Sequence, residues 1–173
     1  VSRIFHYSNT KDNIDLLFED LYYYFSTKEP WEIYKDALSV LKRLRSSKLS
    51  TGIISNWDVR LSNILDEIGL DKYFDYIFIS CEVGYEKPDH RIFDYALNKS
   101  GFLSSNSFHI GDSYKEDVEG ALATGITPIF IKRKTQFTHF NIDKKKFNNL
   151  KEVNNLKEII PIIEKETGIK IPE

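Results

Sequence analysis

Methionine is absent from the 173 residues and cysteine occurs once, as Cys81. A single thiol cannot close an internal disulfide, so a reducing compartment is expected, with Cys81 as a buried small apolar residue. The chain opens on Val1 rather than a methionine, which sets the expectation that Val1 is not the native beginning. No apolar run approaches the ~18 residues that would suggest a membrane-spanning helix. Val1 to His6 lacks the pattern of a secretory leader, and the expected location is cytoplasmic. Strong charge of one sign is also lacking. A net charge of −2 gives no electrostatic footprint for nucleic acid or for an anionic membrane. Repeats, low-complexity blocks and His/Cys spacings suited to zinc are missing too. What is present fits a folded globular chain: 41% hydrophobic and 29% charged residues, a balance that argues against disorder.

Hydrophobic periodicity orders the chain. Ile14, Leu17, Phe18, Leu21 and Phe25 recur at helical spacing and predict an amphipathic helix over roughly residues 12–26. Its aromatic residues, Tyr22 to Tyr24 among them, are expected to pack. A second helix carries Ala37, Leu38, Leu41 and Leu44. From there short apolar strands at 51–55, 76–79, 107–110 and 127–131 alternate with helices bearing Leu61/Ile64/Leu65/Ile68, Ile92/Phe93/Ala96/Leu97 and Val118/Ala121/Leu122. The last segment, with Leu156, Ile159, Ile160 and Ile163, reads as a packing helix. Strands that are apolar on both faces and separated by helices imply an α/β fold with a parallel sheet covered on each side. In such sheets ligands bind beyond the carboxyl ends of the strands.

Three polar groups fall at those ends: Ser55-Asn56, then Lys87 before Pro88, then Gly111-Asp112-Ser113-Tyr114-Lys115-Glu116-Asp117. Singly, each has an ordinary explanation: turn serine, solvated lysine, helix-capping aspartates. Together they suit a dianionic phosphoryl group. A hydroxyl donates to its oxygens, a lysine supplies compact positive charge, and two carboxylates offer ligands for Mg²⁺. His109, within the third strand, reads as a hydrogen-bonded structural residue. The basic clusters 132–134 and 144–146 read as solvated surface.

In these motifs the sequence resembles the haloacid dehalogenase-like hydrolases. Gly52-Ile53-Ile54-Ser55-Asn56 matches their second motif, Val83-Gly84-Tyr85-Glu86-Lys87-Pro88 their third, and Gly111 to Asp117 with Gly120-Ala121 and Gly125 their fourth. The stretch Ile54 to Leu61 and Arg91-Ile92-Phe93 look most like the domain-containing protein 3 group of that family. The resemblance implies a Rossmann-like doubly wound parallel sheet with helices on both faces and a helical cap. It implies that Ser55 and Lys87 act in catalysis, and that Ser55, Asn56 and Lys87 bind the substrate. Asp112 and Asp117 would serve Mg²⁺, Asp117 directly or one step removed. The expected substrate is a small phosphorylated metabolite, with no nucleic-acid or membrane partner and no indication of oligomeric state.

One departure is serious. The family's first motif, Asp-x-Asp-x-Thr or -Val, which supplies the aspartyl nucleophile from a central first strand, occurs nowhere in the sequence. Residues 1–30 resemble the later part of the cap, and 31–173 a core without that strand. The nucleophile is therefore expected upstream of Val1, the alternative being an inactive fragment or pseudoenzyme with a binding or regulatory role. A dehalogenase is also compatible with the motifs, though the Asp112/Asp117 pair favours phosphoryl transfer. A receiver-like phosphoacceptor is disfavoured, because the acidic cluster it needs at the first strand end is missing.

Overall fold

A computed structural model describes residues 11–133, 147 and 150–173, with side chains from residue 14 onward. Helix α1 (Lys11–Tyr24) and α2 (Ala37–Arg45) precede β1 (Gly52–Ser55), α3 (Arg60–Glu67) and β2 (Tyr76–Ile79). Then come α4 (Ser80–Val83), α5 (His90–Ser100), β3 (Phe108–Gly111), a π-helical turn (Tyr114–Glu119), α6 (Gly120–Ala123), β4 (Thr127–Ile131), β5 (Lys151–Val153) and α7 (Ile159–Thr167).

All strand pairings are parallel, and they form two sheets rather than one: β1–β2, and β3–β4–β5. Strand β4 is the middle of its sheet, and four of its five residues are buried. Ile129 and Ile131 share one face and pack with Val40 and Leu44 of α2, Val153 of β5, and Ile159, Ile160 and Ile163 of α7. A second cluster joins Ile92 and Phe93 of α5 to Ala121 and Ile126, with Ile54 of β1 against it. Each fully buried Ile or Phe of this kind stabilises the fold by about 1.5–3 kcal/mol.

Strands β1 and β3 differ from β4. Among the described residues each has a strand neighbour on one side only, and no residue of either is fully buried. Yet Ile53 and Ile54 make both faces of β1 apolar, while β3 has Phe108 and Ile110 on one face and His109 and Gly111 on the other. Interior strands have the composition of β1, and an unpaired edge in such a place leaves backbone N–H and C=O groups without partners. Among the described residues no strand pairing joins the two sheets; the sequence led to the expectation of a central strand that this chain lacks.

Several expectations are corrected. Cys81 is exposed, at the start of α4. Along α1, Ile14 is 65% and Phe18 67% exposed, so part of the anticipated apolar stripe faces solvent, while Leu17 and Leu21 are half-buried. The helix is tethered at its end instead, by edge-to-face contacts running Tyr24–Phe25–Trp31–Trp57, and by Arg60, whose guanidinium lies 4.0 Å from the Tyr22 ring centre. Leu38 and Leu122 are exposed, and Val40 takes the core position in α2. Of the basic clusters, Lys132 pairs with Glu152, and Arg133 sits 3.0 Å from Asp36, so both serve the fold. Lys134 and residues 144–146 lie outside the described residues.

Candidate active site

Ser55 ends β1, in register with Ile79 at the end of β2, and the chain leaves the sheet through Asn56. The Asn56 amide spans to the loop carrying Lys87. Its Nδ2 donates to the Lys87 carbonyl at 2.8 Å, and its Oδ1 accepts from the Lys87 backbone N–H at 2.7 Å. A side-chain amide matches the donor–acceptor spacing of a peptide group, so this pair fixes the Lys87 backbone as a neighbouring strand would. The Lys87–Pro88 peptide is cis.

The Lys87 side chain then crosses from the β1–β2 half to the β3–β4–β5 half. Its Nζ lies 2.6 Å from Asp117 Oδ1, with both side chains almost wholly buried. Asp117 reaches that position by lying across the end of β3. The π-helical turn after Ser113, marked by a bond from the Val118 N–H to the Ser113 carbonyl at 3.2 Å, folds the chain back over Gly111. Such widened turns recur at functional sites. A Cβ on Gly111 would sit 2.1 Å from Asp117 Cγ and 2.3 Å from Oδ2, closer than any real contact, so only glycine admits the carboxylate there. Gly120 has a related duty: a Cβ on it would meet Phe93 Cε2 at 2.5 Å and the Pro88 backbone at 3.3 Å.

Asp117 has two further partners. Oδ2 accepts from the Ser113 N–H at 2.9 Å, and Oδ1 also lies 2.9 Å from His109 Nε2. Burial alone would push the Asp117 carboxyl up. The His109 bond and the Lys87 charge outweigh it and hold the carboxyl well below the usual range. Asp117 is thus an ionised carboxylate with both oxygens engaged inside the protein.

Asp112, one residue past β3, is exposed to solvent. Crowding by surrounding protein, and next the negative charge of Asp117, nevertheless raise its carboxyl above its ordinary value. Because its surface is open, water softens the first of these causes. A group destabilised as an anion at the rim of a site is where a divalent cation gives relief. Among the described residues no three His, Cys, Asp or Glu side chains gather as a metal cage. Of the two carboxylates here, Asp112 is the one open to solvent and so the one that could meet a cation of the kind held by one or two carboxylates and water.

The structure thus brings Asn56, Lys87 and Asp117 into one bonded array, with Ser55 and Asp112 at the strand ends beside it. The sequence reading placed His109 among structural residues and did not join it to the site. The signal was the strand period of two, which puts His109 on the same face as Gly111, the residue over which Asp117 folds.

A family model for the haloacid dehalogenase-like hydrolases matches residues 4–125. The chain belongs to the haloacid dehalogenase-like hydrolase family. Among curated relatives, the haloacid dehalogenase-like hydrolase domain-containing protein 3 of Bos taurus is 36% identical over 128 residues, covering 73% of this chain and 51% of the relative. Glyceraldehyde 3-phosphate phosphatase of Methanothermobacter thermautotrophicus is 31% identical over 133 residues, covering 73% of this chain and 58% of that protein. The chain spans about half the length of the curated relatives it matches. In fold it is similar to the crystal structure of a HAD phosphatase from Thermococcus onnurineus, with a TM-score of 0.71 and 24% identity over 94% of this chain and 76% of that one.

Proposed function

We propose that this chain supplies the phosphoryl-binding part of a Mg²⁺-dependent phosphatase acting on a small phosphorylated metabolite. The observation that carries the reading is the buried Lys87–Asp117 pair, built across the break between two parallel half-sheets at their carboxyl ends. A buried lysine anchored by one carboxylate, with an exposed carboxylate near by, is an arrangement suited to a trianionic transition state rather than to packing. The 31% identity to a glyceraldehyde 3-phosphate phosphatase supports phosphoryl transfer over dehalogenation.

On this reading Ser55 donates its hydroxyl to a phosphoryl oxygen. Asn56 holds the Lys87 backbone, and Lys87 neutralises charge on the phosphoryl group while Asp117 orients it. Asp112 would hold Mg²⁺, which would supply charge neutralisation between an anionic nucleophile and the phosphate. Asp117 serves through Lys87, since its own oxygens are occupied. The nucleophile is an aspartate on a strand outside residues 1–173 that fills the break between β1 and β3. A carboxylate of that kind attacks phosphorus as the ester P–O bond breaks and the alcohol leaves, giving an acyl phosphate; water then hydrolyses it to inorganic phosphate and the free carboxylate. Residues 1–30 are the end of a cap, which accounts for the solvent-facing apolar side of α1.

The test is hydrolysis of a panel of phosphomonoesters by the full-length protein, with and without Mg²⁺. Turnover that needs Mg²⁺ and falls by about 100-fold or more in Lys87→Ala is expected. Metal-independent turnover, or full activity without Lys87, contradicts the reading. Phosphate binding without turnover would favour a regulatory, non-catalytic protein.

A further inference from the structure

We infer that His109 is a positioning residue of this site, holding Asp117 so that the carboxylate presents Lys87 to the phosphoryl group; the inference rests on the phosphatase reading above. It begins with an inventory of the Asp117 oxygens. Oδ2 is fixed by the Ser113 N–H. Oδ1 takes two contacts, Lys87 Nζ at 2.6 Å and His109 Nε2 at 2.9 Å. An ionised carboxylate only accepts hydrogen bonds, so His109 Nε2 carries the proton and donates it.

The ring has little freedom to do otherwise. It stands edge-on to Phe93, with ring centres 5.0 Å apart and planes at 84°. Phe93 is fully buried and is itself pressed against Gly120. The chain of contacts runs from the α6 backbone through Phe93 and His109 to Asp117 and Lys87. His109 therefore sets the rotation of the carboxylate about its Cβ–Cγ bond, and with it the place of the lysine charge. A hydrophobic side chain in the same slot would keep the packing and lose the setting. Without the His109 donor, Oδ1 has Lys87 as its single partner and draws the ammonium back from the phosphoryl side.

Two measurements on the full-length protein test this. The first is ¹⁵N NMR of the His109 ring, where a protonated Nε2 is expected; a ring protonated at Nδ1 with bare Nε2 would overturn the inference without any variant being made. The second is affinity for inorganic phosphate by calorimetry. His109→Phe, which can still pack on Phe93, should weaken phosphate binding about tenfold, as expected for losing one hydrogen bond to a charged group. His109→Gln, which keeps a donor, should recover most of it. Wild-type affinity in His109→Phe, alongside clear loss in Lys87→Ala, would overturn the role of His109 and leave the phosphatase reading standing. No phosphate binding by the wild type, or none that depends on Lys87, would overturn that reading itself.

Discussion

Adding one methyl group at Gly111 should disable the site and weaken the fold together. In Gly111→Ala the new Cβ falls 2.1–2.4 Å from three atoms of Asp117, where contacts under 3.0 Å do not persist. Gly111 is in β3, held by its pairing with β4, so Asp117 is the group that yields. Moving it breaks the bonds to Lys87, His109 and the Ser113 N–H at once, and leaves Lys87 buried without its counter-charge. Disrupting a buried pair in this way costs about 3–5 kcal/mol. Gly52→Ala is the control, because a Cβ there meets Tyr76 at an ordinary 3.4–3.5 Å. Urea unfolding followed by tryptophan fluorescence should show a loss of about 3 kcal/mol or more for Gly111→Ala, and far less for Gly52→Ala. A loss below about 0.5 kcal/mol in Gly111→Ala, the range of inert substitutions, would refute the claim that Asp117 is packed onto the strand end.

Further expectations follow from other contacts. Gly120→Ala drives a methyl into Phe93 and should cost about 1–3 kcal/mol by overpacking, with part of it recovered in Gly120→Ala/Phe93→Leu; thermal unfolding reads both. Burial pushes the Asp36 carboxyl up, but the Leu156 N–H and Arg133 outweigh it and leave it below its usual value. Its contribution is therefore complete above the unfolded value of ~3.9 and is lost as pH falls through the lower folded value. Asp36→Asn should lose stability at pH 7 and show a shallower acid transition, read by circular dichroism against pH. Burial, and the bond to Glu152, push the Tyr114 phenol up to about 12. The folded state then holds that proton longer than the unfolded chain, so the contribution is full below ~10 and fades as pH rises towards the folded value. Tyr114→Phe should remove one late step from the ultraviolet phenolate titration; an unchanged titration would contradict it.

The sheet was legible wherever strands were apolar and followed by a turn. Tyr76–Ile79 and Thr127–Ile131 were read to the residue, as apolar runs that end at polar Ser80 and Lys132. Strand β5 escaped notice: Lys151-Glu152-Val153 is three residues long and buries only Val153 outright. It is a strand because β4 offers an edge, which no local pattern reveals. The stripe on α1 was visible in the sequence, but periodicity shows that a face is apolar and cannot show what covers it. Cys81 was misplaced for a related reason. It follows an apolar strand, yet the strand ends at Ile79 and the chain turns outward into α4. Ser55, Asn56, Lys87, Asp112 and Asp117 were singled out by motif as candidates, while the interplay of Asp117 with Gly111 and His109 depends on a π-helical turn that the sequence does not announce.

The account turns on Lys87 and Asp112 serving a carboxylate nucleophile that lies outside these 173 residues. The direct measurement is trapping of the covalent intermediate: the full-length protein, Mg²⁺ and a ³²P-labelled phosphomonoester, quenched in acid and mapped by peptide. The account predicts a hydroxylamine-sensitive phosphoryl label on an aspartate outside the sequence described here, and its loss in Lys87→Ala. Label on a residue within the sequence, or steady turnover with no acyl phosphate formed, would contradict it.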